Sequence, residues 1–271
     1  MAHDNNNDDH DHDDDPYGYA EVVAAAARLQ PHILTALETR DLNVGRVVFP
    51  SVPERPAAVV ALNFPPTNMV HVIPPTITGR FRGGSRNPTV EALAAALESV
   101  DVDVSSVIIL DRWHLTLPSD ASGSTDVTTL LRALEQSAPQ ELQAFQDAQS
   151  RMRERILISH FRPTPGRRLP VLVASRDASA YHSGWFASYA ERTGTTLSLF
   201  QTVHPSTVYH PTRTESRRQS DEQLTAFGRA LGFGGEPSHF FENQVSFLCL
   251  FFFLLLVPKM FCSGWEVWLW K

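Results

Sequence analysis

A chain of 271 residues with 42% hydrophobic content and a formal charge of −7 has enough material for one large domain or two small ones around a real core. Seven of its 30 acidic residues sit in the first 15, "MAHDNNNDDHDHDDD", and the remainder is balanced, 23 acids against 23 bases. That balance gives no reason to expect a nucleic-acid surface or a polybasic membrane patch.

Residues 1–15 are low in complexity and free of large apolar side chains, the composition of a disordered acidic tail. His3, His10 and His12 among the aspartates would hold a divalent metal only weakly, and solubilisation is the expected role. No charged-then-apolar segment leads the chain, so no signal peptide is expected. A folded body is expected over 16–244. "YAEVVAAAARLQPHILTALETRD" has helical apolar spacing, with Pro31 expected to break or kink it. "RVVF", "AAVVALNF" and "MVHVI" are short apolar runs that predict strands, and "PPTITGRFRGGSRNP" predicts a loop.

"TVEALAAALESV" predicts a helix, with Pro88 or Thr89 near its first turn. "SSVIILD" is continuously apolar, as in a strand buried on both faces. From about 126 to 160 the chain is helical and amphipathic, two segments separated by Pro139, and predicts an insertion above the sheet. "RLPVLVASRD" predicts a buried strand, "SGWFASYAERTG" a helix capped by Gly194, "TTLSLFQTV" a strand and "DEQLTAFGRALGF" a closing helix. Strands that alternate with helices predict an α/β fold with a mainly parallel sheet flanked by helices.

The last 27 residues differ in vocabulary. Residues 1–244 hold 21 arginines and no lysine, whereas 245–271 hold both lysines, both cysteines and three of the five tryptophans, and no arginine or alanine. The apolar run Val245–Val257 falls short of the roughly 20 residues a bilayer span requires. Two readings stay open for 245–271: a membrane-seeking tail, or translated intron, because "Gln-Val-Ser" is what a splice-donor sequence encodes. The intron reading is preferred. A body without cysteine excludes disulfides and thiolate chemistry there, and a cytoplasmic location is expected. Neither a cofactor nor a metal centre is expected, because His71, His160 and His182 lack ligand spacing.

In a parallel sheet, functional groups collect at the carboxyl ends of strands. Ser85 in the turn before a helix, Asp111 after "SSVIIL" and His204 after "TTLSLFQTV" occur in the order nucleophile, acid, base. "GGSRNPTVEALAAALESVDVDVSSVIILDRW" resembles the thioesterase-type α/β hydrolases of polyketide and nonribosomal peptide synthesis. The resemblance covers roughly residues 80–233, through a helical lid, "LPVLVASRD…W" and "TVHPST".

It implies an α/β-hydrolase-like fold with a lid at about 126–160, and hydrolysis of an acyl thioester or ester. The acyl substrate would be free or carried on a phosphopantetheine protein. Ser85 would be the nucleophile, Asp111 the orienting acid and His204 the base. Asp177, the acid position of other α/β hydrolases, is the alternate for Asp111, and His210 the alternate for His204. The elbow is degenerate: Asn87 stands where the family has glycine, and 11 residues separate "MVHVI" from Ser85. An inactive or truncated homologue that acts as a binding protein is therefore the alternative.

Two further readings of the same residues stay open. Arg80, Arg82, Gly83, Gly84 and Arg86 at a helix start have the composition of an anion-binding loop. His114-x-Thr116, paired with His204-x-Ser206 or His210-x-Thr212, resembles the motifs of two-histidine phosphoesterases.

Overall fold

Four of the apolar runs form one sheet in the computed structural model: β1 Ala58–Leu62, β2 Val107–Asp111, β3 Arg168–Val173 and β4 Thr196–Gln201. The residues described are 15–50, 52–65, 67, 88–118, 126–162, 168–174, 178–203 and 214–232. The candidate strand "MVHVI" lies outside them, as do both chain termini. Six helices accompany the strands among the described residues: α1 Tyr19–Ala36, α2 Pro88–Glu98, α3 Val127–Ser137, α4 Pro139–His160, α5 Ser179–Thr193 and α6 Thr214–Ala230.

All strand pairs are parallel, in the order β2-β1-β3-β4. The chain steps from β1 through α2 to β2 on one side, then crosses back through α3 and α4 to β3 on the other. The winding therefore reverses between β1 and β3, which makes the carboxyl edge of those two strands a topological switch point. Every residue of β1 and β2 is buried, which explains why their sequences are apolar throughout rather than alternating.

Alternation along the strands divides the core into two layers. Val59, Ala61, Ile108, Leu110, Val171 and Val173 face the layer built from α1, α3, α4 and α5. Ala58, Val60, Val107, Ile109 and Leu172 face α2 and α6 through Leu93, Leu97, Leu224 and Phe227. Residues 126–160, expected to form an insertion above the sheet, supply α3 and α4. Asp126 caps α3 by accepting from the backbone N–H of Thr128 and Thr129, and Pro139 opens α4. Phe145, Met152 and Ile156 on α4 lie in the same cluster as Val59 and Val171, so the two helices belong to the layer on the sheet itself. A buried stripe at helical spacing along α4 ties them there.

Two local expectations are revised. "RVVF" does not join the sheet; it makes an isolated antiparallel bridge, Val47 with Leu115. The backbone N–H groups of Gly45 and Val48 donate to the carbonyls of Thr116 (2.8 Å) and His114 (3.0 Å), pinning this segment to the stretch after β2. Second, α1 runs unbroken through Pro31, because Leu29 and Ile33 on either side are fully buried and hold the helix against the core. Proline inside a helix costs about 3 kcal/mol through the lost N–H and the ring clash. Pro31 is exposed, so replacement disturbs no packing. Pro31→Ala is expected to raise the unfolding free energy by about 1–3 kcal/mol, the proline's rigidity in the unfolded chain offsetting part of the gain. Denaturant titration checks this, and an unchanged midpoint with an unchanged slope would show that α1 had already relaxed around the ring.

No helix among the described residues is long and apolar enough to cross a membrane.

Candidate functional site

Parallel strands bring their carboxyl ends to one edge, and the backbone pairing continues slightly beyond the strands. The Arg112 and Trp113 N–H groups donate to the carbonyls of Leu62 and Asn63 (both 2.9 Å). On the other side, Ala174 N–H donates to Ala61 and Thr202 N–H to Val173 (both 2.9 Å). Val203 N–H is held by Ser220 Oγ of α6 at 3.0 Å.

Asp111, the last residue of β2, is 1% exposed and sits opposite Leu62 in the register. It shares the strand face of Val107 and Ile109, which is the α2/α6 side. Arg112 alternates to the other face, towards α4 and α5, where its guanidinium lies 5.1 Å from the centre of the Tyr181 ring. Asp111 and Arg112 are thus adjacent in sequence and opposed in direction.

A basic cluster surrounds Tyr181. Arg153 of α4 is 1% exposed. One of its terminal nitrogens donates to the carbonyls of Asp111 and Arg112, and the other to Tyr181 Oη at 2.6 Å. Its guanidinium lies 5.5 Å from the Tyr181 ring centre and 5.7 Å from that of Trp185. Beside it, His182 is buried and bonds the Leu62 carbonyl through Nε2 at 2.6 Å. Burial above all, and then Arg153 and Arg112, push the His182 imidazole down to about 3 against the hydrogen bond to Leu62, so the ring is neutral. Burial, and secondarily Arg153, also lower the pKa of Arg112 against the influence of Tyr181.

A separate cavity of about 580 Å³ opens at the carboxyl ends of β3 and β4. Val173, Gln201, Thr202 and Val203 line it from the sheet side, with Ser183 of α5 and Ser220 of α6 across from them.

Asp111 is the only one of the sequence-predicted catalytic and anion-binding residues within the described region. Ser85, His204, Asp177 and His210, and the loop residues Arg80, Arg82, Gly83, Gly84 and Arg86, lie outside it. His114 and Thr116 are within it and fully buried. His114 Nδ1 is 3.2 Å from the Val48 carbonyl, and Thr116 Oγ1 donates to Asn43 O, so both fasten the 43–48 segment. A general acid or base must reach its substrate, and this burial disfavours the two-histidine arrangement. Among the described residues, no three His, Cys, Asp or Glu side chains gather to hold a metal.

The sequence alone did not single out Arg112, Arg153 or Tyr181, and it raised His182 only as a metal ligand. One signal was present: Arg153 falls on the buried stripe of α4, four positions after Gln149 and four before Leu157. An arginine inside an apolar stripe is a candidate for a specific role.

No protein-family model matches the chain, and no curated protein matches it.

Proposed function

We propose that the chain is an acyl thioesterase or esterase in which Ser85 is the nucleophile, His204 the general base and Asp177, rather than Asp111, the orienting acid. Ser85 Oγ attacks the acyl carbonyl carbon while His204 takes the hydroxyl proton. The bond from carbon to the leaving sulfur or oxygen then breaks, and His204 returns the proton to the leaving group. Water, activated in turn by His204, releases the acid and restores Ser85. The acyl group would arrive as an ester or on the phosphopantetheine arm of a carrier protein.

The observation that carries this reading is the parallel pairing of β3 with β4 above a cavity lined by both Val173 and Val203. Asp177 follows Val173 by four residues, and His204 follows Val203 by one. Asp177 and His204 therefore follow adjacent strands, whose spacing is about 4.8 Å. Asp111 leaves β2, three spacings from β4 in the order β2-β1-β3-β4, or about 14 Å. The helix after Ser85 supports the same edge: α2 connects two parallel strands, so its first turn starts where the strands end.

The test is covalent. The folded full chain, treated with a fluorophosphonate probe and mapped by mass spectrometry, is expected to carry one adduct, at Ser85. A sample with intact far-ultraviolet dichroism and no adduct would sink the reading and leave the protein a binding protein.

A further inference from the structure

We infer that Arg112, Tyr181 and Arg153 form a binding site for an anionic group, a carboxylate or a phosphate, on the α4/α5 side of the carboxyl edge. This site uses no residue of the 79–87 loop and does not depend on Ser85 acting as a nucleophile.

Three observations converge. First, two guanidiniums share one tyrosine ring, and among the described residues neither has a carboxylate within ion-pair distance. The nearest acid in sequence, Asp111, falls on the opposite strand face by alternation, with Val107 and Ile109. A cation held away from water is costly unless an opposite charge accompanies it, and two together repel.

Second, the donors are unspent. The guanidinium of half-buried Arg112 makes no hydrogen bond to a described residue, and its Nε is shut off from solvent. Arg153 uses both terminal nitrogens, but its Nε is likewise buried without an acceptor. Tyr181 Oη accepts from Arg153, which leaves its own hydrogen free to donate.

Third, the rest of the cluster is fixed. Arg153 is anchored to the carbonyls that end β2, and His182 to the carbonyl that ends β1. Trp185 is also tied to α4 through Ser150, at 2.9 Å. Arg112 is therefore the adjustable member above a rigid floor. A guanidinium fork beside a phenolic O–H matches the two oxygens of a carboxylate or phosphate. The cluster lies at the carboxyl edge of the sheet, over the ends of β2 and β1, and that edge is where doubly wound sheets take their ligands.

Binding is read from tryptophan fluorescence, because Trp185 packs on Arg153. The full chain is titrated with inorganic phosphate and with acetate at constant ionic strength, with chloride as the reference anion. Saturable quenching by phosphate, acetate or both is expected, and the anion that saturates identifies the source. Arg112→Gln should weaken the response at least tenfold, and Arg112→Lys less, because charge survives but the fork does not. Arg82→Gln should leave it unchanged. Absence of saturation with either anion, equal affinity in a folded Arg112→Gln protein, or loss with Arg82→Gln instead would overturn the proposal.

Discussion

Asp177→Asn is expected to lower kcat by about 10³–10⁴, the scale on which a mis-held histidine tautomer costs a serine hydrolase, whereas Asp111→Asn should leave kcat within about tenfold of the parent. A carboxylate that orients a histidine must touch it, at about 2.6–3.2 Å between heavy atoms. Thr202 still pairs with β3 through the Val173 carbonyl, and Val203 is tied to Ser220. The chain therefore reaches His204 from beside β3, not from beside β2. By strand alternation Asp111 shares the face of Val107 and Ile109, the α2/α6 side, and its strand lies three positions from β4. Its substitution should act on stability, since a buried carboxylate becomes a buried amide with altered partners. Both variants are compared with a chromogenic acyl ester, alongside their thermal midpoints. A collapse of kcat in folded Asp111→Asn with Asp177→Asn unaffected would reverse the assignment.

That choice shows what local sequence conveyed and what it did not. The runs "AAVVAL", "VIILD" and "RLPVLV" were legible as buried strands because continuous apolar sequence is what a strand covered on both faces requires. Gly194 was legible as a helix cap, and its φ of 69° is the left-handed value glycine tolerates. Strand order was not legible, because pairing between residues some 30 to 110 positions apart leaves no local period. The order places β1 between β2 and β3 and so moves Asp111 away from the base that chain order alone gave it. "RVVF" has strand composition, but its partner is the His114–Leu117 stretch beside it rather than the sheet. The arginine cluster was hidden for a different reason: "SRMRERI" reads as a solvated helix face, and only the phase of Arg153 on α4 separates it from Arg151, which makes a surface ion pair with Glu21 at 2.5 Å.

The same cluster predicts how the fold responds to acid. His182 is neutral when folded, and protonation would place a second N–H, at Nδ1, in a buried site beside two arginines. Its folded pKa, about 3, lies below the unfolded value of about 6.5. Between those values the unfolded chain binds a proton that the folded chain refuses, so unfolding free energy rises with pH through that window. The contribution is complete above about pH 6.5 and is lost as pH falls towards 3, at up to about 1.4 kcal/mol per pH unit. His160, lowered by burial and hydrogen-bonded to Tyr17 Oη at 2.8 Å, adds to the slope in the same direction. Urea unfolding from pH 7.5 to pH 5 should show stability level down to about pH 6.5 and falling below it. His182→Gln keeps a donor for the Leu62 carbonyl and removes the titrating group, so its slope between pH 6.5 and 5 should be much flatter, leaving the His160 share. An equally steep fall in that variant would mean that His182 already carries its proton in the folded state and that the Leu62 contact is a charged one.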